Sequence, residues 1–201
     1  MDLYANPLLT TARPILLFIA ENELDFISVN PNGLVPALLD GDLRLTRTPA
    51  ILGYLADLIH SPAYPADLHR RARVNERMDW LSANFHRSFG CDPVYPQIFP
   101  QSRAADRDVR IEADACDWLR ALDEEILGPE QSYLCGEKIT IADYLGAAYV
   151  CAGEALGCCF AAYPNIGRWL ANMRRLNSWP LVFGASDFTA PPLSDGATVR
   201  L

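Results

Sequence analysis

The stretch NPNGLVPALLDGDLRLTRTPAILGYLADL, Asn30 to Leu58, orders the rest of the chain. Asn30-Pro31-Asn32-Gly33 is a dense loop signal, and Val35-Pro36 enters the apolar run Ala37-Leu38-Leu39. A proline at the mouth of a strand, in a tight bend, is a place where a cis peptide bond is expected. Asp40-Gly41 is the kind of pair that closes a two-residue hairpin, which returns through Leu43-Arg44-Leu45. Thr48-Pro49 then reads as a capping hydroxyl followed by proline at the first helical position, ahead of Ala50-Ile51-Leu52 and Tyr54-Leu55. Loop, strand, turn, strand and capped helix follow one another without a gap.

Around this stretch the composition is that of a soluble globular protein. The 201 residues are 50% apolar and 21% charged, enough to bury one substantial core or two smaller ones sharing an interface. A net charge of −8 argues against nucleic acid or an anionic membrane as the main partner. The apolar run Ile15 to Ala20 is too short to span a bilayer, and no basic segment precedes it, so a cytoplasmic protein is expected. Six cysteines form no Cys-x-x-Cys pair and only three histidines accompany them. Small buried hydrophobes explain them better than a metal site or a disulfide framework.

Toward the N-terminus, Leu3-Tyr4 is a short strand, and Ile15 to Ala20 is a helix that Thr10 or Thr11 can cap, with Pro14 in its first turn. Glu23 to Val29 alternates with period two and reads as a second strand, so strand, helix and strand make a parallel crossover. With the hairpin and the helix at Pro49–Ile59 this is a small α/β unit, residues 1–60. Ser61 to Pro65 is a linker. In the all-helical part, residues 66–188, Val74, Met78, Leu81, Phe85 and Phe89 form one stripe of a helix about twenty residues long. A second helix covers about Ala104 to Leu127 and stops at Gly128-Pro129. Thr140-Ile141-Ala142-Asp143 is a capping box opening a helix that is apolar nearly all round, the expected centre of the domain. Ile166 to Leu176 and a short helix at Trp179-Pro180 follow, and the tail, residues 189–201, shows no periodicity.

Three blocks together resemble the glutathione transferase superfamily in its bacterial theta-like or nu-like form. They are Asn30 to Ile59; Arg73 to Trp80 with Val94-Tyr95-Pro96-Gln97 and Pro100; and Tyr133 to Gly136 with Ile139 to Tyr144, Tyr163 to Ile166 and Trp169-Leu170. The resemblance implies a thioredoxin-like N-terminal domain, an all-α C-terminal domain, a homodimer, and no cofactor beyond glutathione or another thiol as co-substrate. It also implies that the backbone of Val35, before Pro36, meets the cysteinyl part of the donor, and that Arg47-Thr48 at a helix start receives its γ-glutamyl end. A carboxylate suits that place because free N–H groups and the helix dipole both favour negative charge. Near the first helix a hydroxyl would donate to the thiolate, the nucleophilic form of the sulfur.

Three features depart from the family. Arg47 stands where an acidic residue pairs with the ammonium of the γ-glutamyl group, so the helix start favours an anion; the alternative is that Arg47 swings into solvent, where its charge is screened. Arg13, set beside the arginine of theta-like enzymes, places Leu9 where their serine sits and leaves Thr10 and Thr11 as the candidate catalytic hydroxyls. Only six residues, Asn30 to Val35, link the second strand to the hairpin, where the family inserts a helix over glutathione. They must cross about 10 Å of sheet and reach up to about 20 Å when extended. For the second substrate, Arg87 is a candidate anion contact, and Tyr95 and Phe99 candidate walls, with solvent exposure and ordinary packing as their alternatives. Cys91 lies at a helix C-terminus, which raises a thiol pKa. Asp143 is explained by its capping box. The leading expectation is an atypical enzyme that activates a thiol or sulfur donor, glutathione or a smaller, more anionic thiol, for transfer to a small electrophile in specialised metabolism. Ordinary glutathione conjugation and a non-catalytic scaffold are the alternatives.

Overall fold

In the computed structural model, residues 1–7, 9–24, 27–29, 36–91, 116–155, 160–184 and 199–200 are described, with backbone alone for 27–29, 87–91, 155 and 199–200. The first strand, β1 (Asp2–Tyr4), is central to a sheet because Leu3 has no exposed surface and must be covered on its face. It pairs in parallel with β2 (Ile27–Val29) and antiparallel with β3 (Ala37–Asp40), which turns back into β4 (Leu43–Leu45). Between β1 and β2 runs α1 (Arg13–Glu21), and after β4 comes α2 (Thr48–Leu58). This is the thioredoxin-like unit expected from the sequence.

Several local expectations are corrected. The hairpin closes on Gly41-Asp42 rather than Asp40-Gly41, because Asp40 pairs with Leu43 and is still strand. Gly41 takes the positive φ of 56°, the place where a tight hairpin turn asks for glycine. Neither threonine before α1 caps it: Ala12 is the N-cap residue, and the entry is a backbone turn in which the Ala12 and Arg13 amides donate to Leu9 O at 3.0 and 3.2 Å. Thr48 does not cap α2 either. It is already the first helical residue, Arg47 is the N-cap, and Pro49 is second. The strand expected from Glu23 begins at Ile27, since Glu23 turns with a φ of 51°.

Helices form the second layer. The apolar stripe of the long helix is real, with Val74, Met78, Leu81 and Phe85 all buried. Its backbone changes pitch, however: α3 (Leu68–Trp80) widens into a π-helical segment, Leu81–Cys91. Of the second long helix, residues 116–120 are helical and Ala121–Leu127 are again π-helical, ended by Gly128 at φ 55°. The buried helix α4 (Ile141–Ala155) starts where the capping box places it, and α5 (Pro164–Met173) and α6 (Trp179–Phe183) complete the bundle. Asp123 holds the start of α5, accepting from Ile166 N at 2.8 Å and Asn165 Nδ2 at 3.1 Å. The structureless tail of the sequence reading is also corrected: β5 (Val199–Arg200) adds antiparallel to the free edge of β2, giving the order β4-β3-β1-β2-β5.

The two layers share α1. Every residue from Arg13 to Ile19 is buried, with Phe18 edge-on to Tyr144 of α4 at 5.4 Å between ring centroids. Fully burying each such apolar side chain is worth about 1.5–3 kcal/mol. Arg13 is buried with them. Its Nε donates to Pro7 O at 3.0 Å and its guanidinium lies over the Phe183 ring at 5.2 Å, while burial lowers its pKa to about 10.

The capping box has become the polar centre of the bundle. The Asp143 carboxylate, fully buried, accepts from Thr140 N at 2.7 Å, Leu134 N at 2.8 Å, Thr140 Oγ1 at 2.9 Å and Trp169 Nε1 at 3.0 Å. Burial pushes its pKa up to about 6, with those four donors pulling it down. Asp143→Ala orphans these donors and is expected to lower the unfolding free energy by about 3 kcal/mol in urea denaturation. The folded carboxyl keeps its proton to a higher pH than the unfolded one. Its contribution is therefore fully present below pH 3.8 and lost as pH rises through about 6, a dependence that Asp143→Asn should flatten.

Candidate functional site

A cleft of about 1100 Å³ opens where the start of α2 faces α3 and the π-helical segment. Its wall at the sheet end is made of Thr11, Pro36, Arg44, Thr46, Arg47 and Thr48. The opposite wall includes Met78, Asp79, Ser82, His86 and Tyr149. A volume of this order holds a tripeptide-sized molecule together with a small second one.

The local chain explains why these groups meet. Arg47, exposed and extended at φ −125°, is the last residue before α2. The first turn of a helix leaves its amides without intrahelical partners, and Pro49 removes one of them, so Thr48 and Ala50 supply the free N–H groups at this mouth. Those amides and the helix dipole make the mouth attractive to an anion. The first turn of α2 contains no acidic side chain to fill that role. Arg44 and Arg47 add two cations, neither of which forms an ion pair among the described residues. Of the acids on the cleft wall, Asp57 is already held by Arg71 through bonds of 2.7 and 3.2 Å. Tyr54, from the middle of α2, donates to Asp40 Oδ2 at 2.5 Å and clamps the hairpin against the helix.

Thr11 is the chemically unusual residue. Its Oγ1 is buried and has no hydrogen-bond partner among the described residues, on the wall of an open cleft. A buried hydroxyl left unpaired costs about 1–3 kcal/mol, so natural folds keep few of them. The neighbouring backbone is tied to α2, because Thr48 Oγ1 donates to Thr11 O at 2.7 Å.

The structure therefore brings together Thr11, Pro36, Arg47 and Thr48 of the residues named from sequence. Thr10 and Leu9 go the other way: at 1% and 4% exposure both are buried, Leu9 in the hydrophobic core, and neither lines the cleft. Across the turn that Leu9 O closes, Thr11 lines the cleft and Thr10 does not, and the Thr11 Oγ1 itself is buried. Val35, Tyr95, Phe99 and the Asn30–Val35 link lie outside the described residues, as do the side chains of Arg87 and Cys91. Among the described cysteines, Cys116 is exposed and Cys135 and Cys151 are half-buried, all three as free thiols. Burial raises Cys135 to about 11 and Cys151 to about 12, which keeps both as unreactive thiols.

Sequence reasoning singled out none of Arg44, Ser82, His86 and Tyr149 as a site residue. From Met78 in the apolar stripe, Ser82 and His86 follow at intervals of four, a line that runs beside Leu81 and Phe85. Tyr149 carried no such signal, since it sits on a helix buried on nearly every side. Its ring lies 4.8 Å from that of His86.

Residues 15–57 match the family model described as glutathione S-transferase, N-terminal domain, and residues 113–177 match glutathione S-transferase, C-terminal domain. The human glutathione S-transferase theta-2B is 31% identical over 156 residues, an alignment covering 72% of this chain and 62% of that protein. A delta-class glutathione transferase of Nilaparvata lugens superposes with a TM-score of 0.79 at 27% identity, over 93% of this chain and 95% of that one. A sphingomonad glutathione S-transferase, solved in complex with glutathione, superposes with a TM-score of 0.74 at 25% identity, over 92% and 98%.

If the Thr11 hydroxyl is kept for a ligand rather than for the fold, removing it should help the empty protein. Thr11→Val, which swaps the orphaned hydroxyl for a methyl of similar size, is expected to stabilise by about 1 kcal/mol in urea denaturation. A loss of stability of that size would mean that the hydroxyl has a structural partner.

Proposed function

Since the chain belongs to the glutathione transferase family, we propose that it is an atypical enzyme of that type, activating a thiol donor for attack on a small electrophile. The observation that carries this reading is that Thr11 lines the cleft beside the α2 mouth with a buried hydroxyl that has no hydrogen-bond partner among the described residues. In the proposed reaction the donor thiol loses its proton to solvent, and Thr11 Oγ1 donates a hydrogen bond to the resulting thiolate. That bond favours the charged form and lowers the thiol pKa, raising the nucleophilic fraction near neutral pH. Sulfur then forms a bond to the electrophilic carbon, whose leaving group departs with its electron pair. Catalysis here consists of positioning and electrostatic stabilisation, which few residues can supply.

Donor choice follows from charge. Glutathione offers a carboxylate and an ammonium at its γ-glutamyl end, and Arg47 suits the first while repelling the second. The proposed donor is therefore a thiol with more anionic character at that end, held by Arg47 and the free amides of Thr48 and Ala50. Pro36, with Val35, would border the sulfur-bearing part. Met78, Ser82, His86 and Tyr149, with Arg87 and Tyr95 from the same part of the sequence, would meet the electrophile. A cytoplasmic homodimer acting in specialised metabolism completes the reading. Ordinary glutathione conjugation is the second reading, favoured by the likeness to a relative solved in complex with glutathione. A scaffold that keeps the fold without chemistry is the third.

Calorimetry with glutathione and with mercaptosuccinate, a small thiol dianion without an ammonium, separates these readings. The wild type is expected to bind mercaptosuccinate and to bind glutathione at least about tenfold more weakly than Arg47→Glu does, a difference of about 1.4 kcal/mol. Micromolar glutathione binding by the wild type would refute the altered donor. Failure to bind any thiol would favour the scaffold.

A further inference from the structure

A carboxylate offers about four lone-pair sites to hydrogen-bond donors. The α2 mouth can match them all, with two donors from the Arg47 guanidinium fork and one each from the Thr48 and Ala50 amides. Arg44 is surplus to that count, yet it lines the same cleft from β4. It is exposed, and its cross-strand partner on β3 is Leu39, which offers it no charge. Along the chain it stands three residues before Arg47, at most about 10 Å between Cα atoms. Two guanidinia at that spacing, each with its own planar set of donors, can hold two separate anionic groups of one small molecule.

The acids of the protein do not neutralise Arg44. Asp42, two residues back in the hairpin turn, forms no ion pair among the described residues. Asp40 accepts from Tyr54, and Asp57 is held by Arg71. Asp79 belongs to the opposite wall. The chain carries 25 acidic and 17 basic side chains, so two neighbouring cations without ion pairs reverse, on this one wall, the sign of the whole molecule.

We infer that Arg44 is a specificity-determining residue: it takes a second anionic group of the donor, so the donor class is a thiol with two carboxylates on separate carbons. The inference deepens the proposed choice of an anionic donor and rests on it. A thiol with a single carboxylate fills the α2 mouth and leaves Arg44 in water. Arg44 therefore adds discrimination between donors, while Arg47 and the two amides supply the binding common to all of them.

The test uses calorimetry on the full chain. The wild type is expected to bind mercaptosuccinate at least about tenfold more tightly than β-mercaptopropionate, which keeps the thiol and one carboxylate. Arg44→Gln should abolish that preference by weakening mercaptosuccinate, with β-mercaptopropionate changed by less than about twofold. Arg44→Lys, which keeps the charge and loses the fork, should retain part of the preference. Arg70→Gln makes the same change of net charge outside the cleft and should leave both affinities as they are. Equal weakening of the two thiols by Arg44→Gln, or the same loss in Arg70→Gln, would mean a general field and overturn the inference. A wild type without preference between the two thiols would overturn it as well. Failure of the wild type to bind any thiol overturns the proposed donor activation, and glutarate against butyrate, neither with sulfur, then decides the role of Arg44. Tighter binding of glutarate that Arg44→Gln removes upholds the second anion contact; equal binding refutes it.

Discussion

The fold depends on a helix with no wet face. From Arg13 to Ile19, α1 is buried against the sheet on one side and against α2, α4 and α6 on the others. An ordinary surface helix can slide or roll by exposing a little more of one edge, but α1 has no edge to expose. Its polar N-terminal groups must therefore find partners inside the protein, and they do so in two ways. The backbone folds back on Leu9 O, and the Arg13 side chain, desolvated enough to lower its pKa to about 10, donates to Pro7 O. The chain before α1 is consequently rigid, and that rigidity places Thr11 at the boundary between the two layers.

The α2 mouth shows the opposite economy. Helix starts are stabilised by acidic residues and side-chain caps, each worth about 0.3–2 kcal/mol. α2 has neither: its N-cap is Arg47, its first turn has no acid, and its one capping hydroxyl is turned away to Thr11. Across the same wall, Thr11 keeps a buried hydroxyl without a partner among the described residues. Two local rules are broken within one cleft, while the buried Asp143 network in the helical layer satisfies four donors with one carboxyl. Departures of this kind concentrate where a sequence serves a ligand rather than its own stability.

Most of the architecture was legible in the letters because it follows from short-range rules. The hairpin around Gly41, Pro49 just inside α2 and the Thr140–Asp143 box each announce an element within a few residues. The boundaries moved where a long-range contact competed with a local one. Thr48 looked like a cap because its type and its proline neighbour fit, yet a carbonyl 37 residues away took its proton. Thr10 and Thr11 were equal in sequence. A single turn buried the first and set the second on the cleft. The strand at Val199–Arg200 was invisible because two residues carry no period, and only the open edge of β2 gives them a partner.

The sequence alone determined the order of the elements, the thioredoxin-like and helical layers, the family resemblance and the cationic start of α2, since each is written in neighbouring residues. Tertiary structure alone decided which threonine hydroxyl has no partner among the described residues, which one is bonded to the Thr11 carbonyl, and which side chains of α3 and α4 close the cleft. Those outcomes turn on hydrogen bonds and burial between groups far apart in the chain. A hydroxyl with one proton to give can satisfy only one of the partners that its position in the sequence allows.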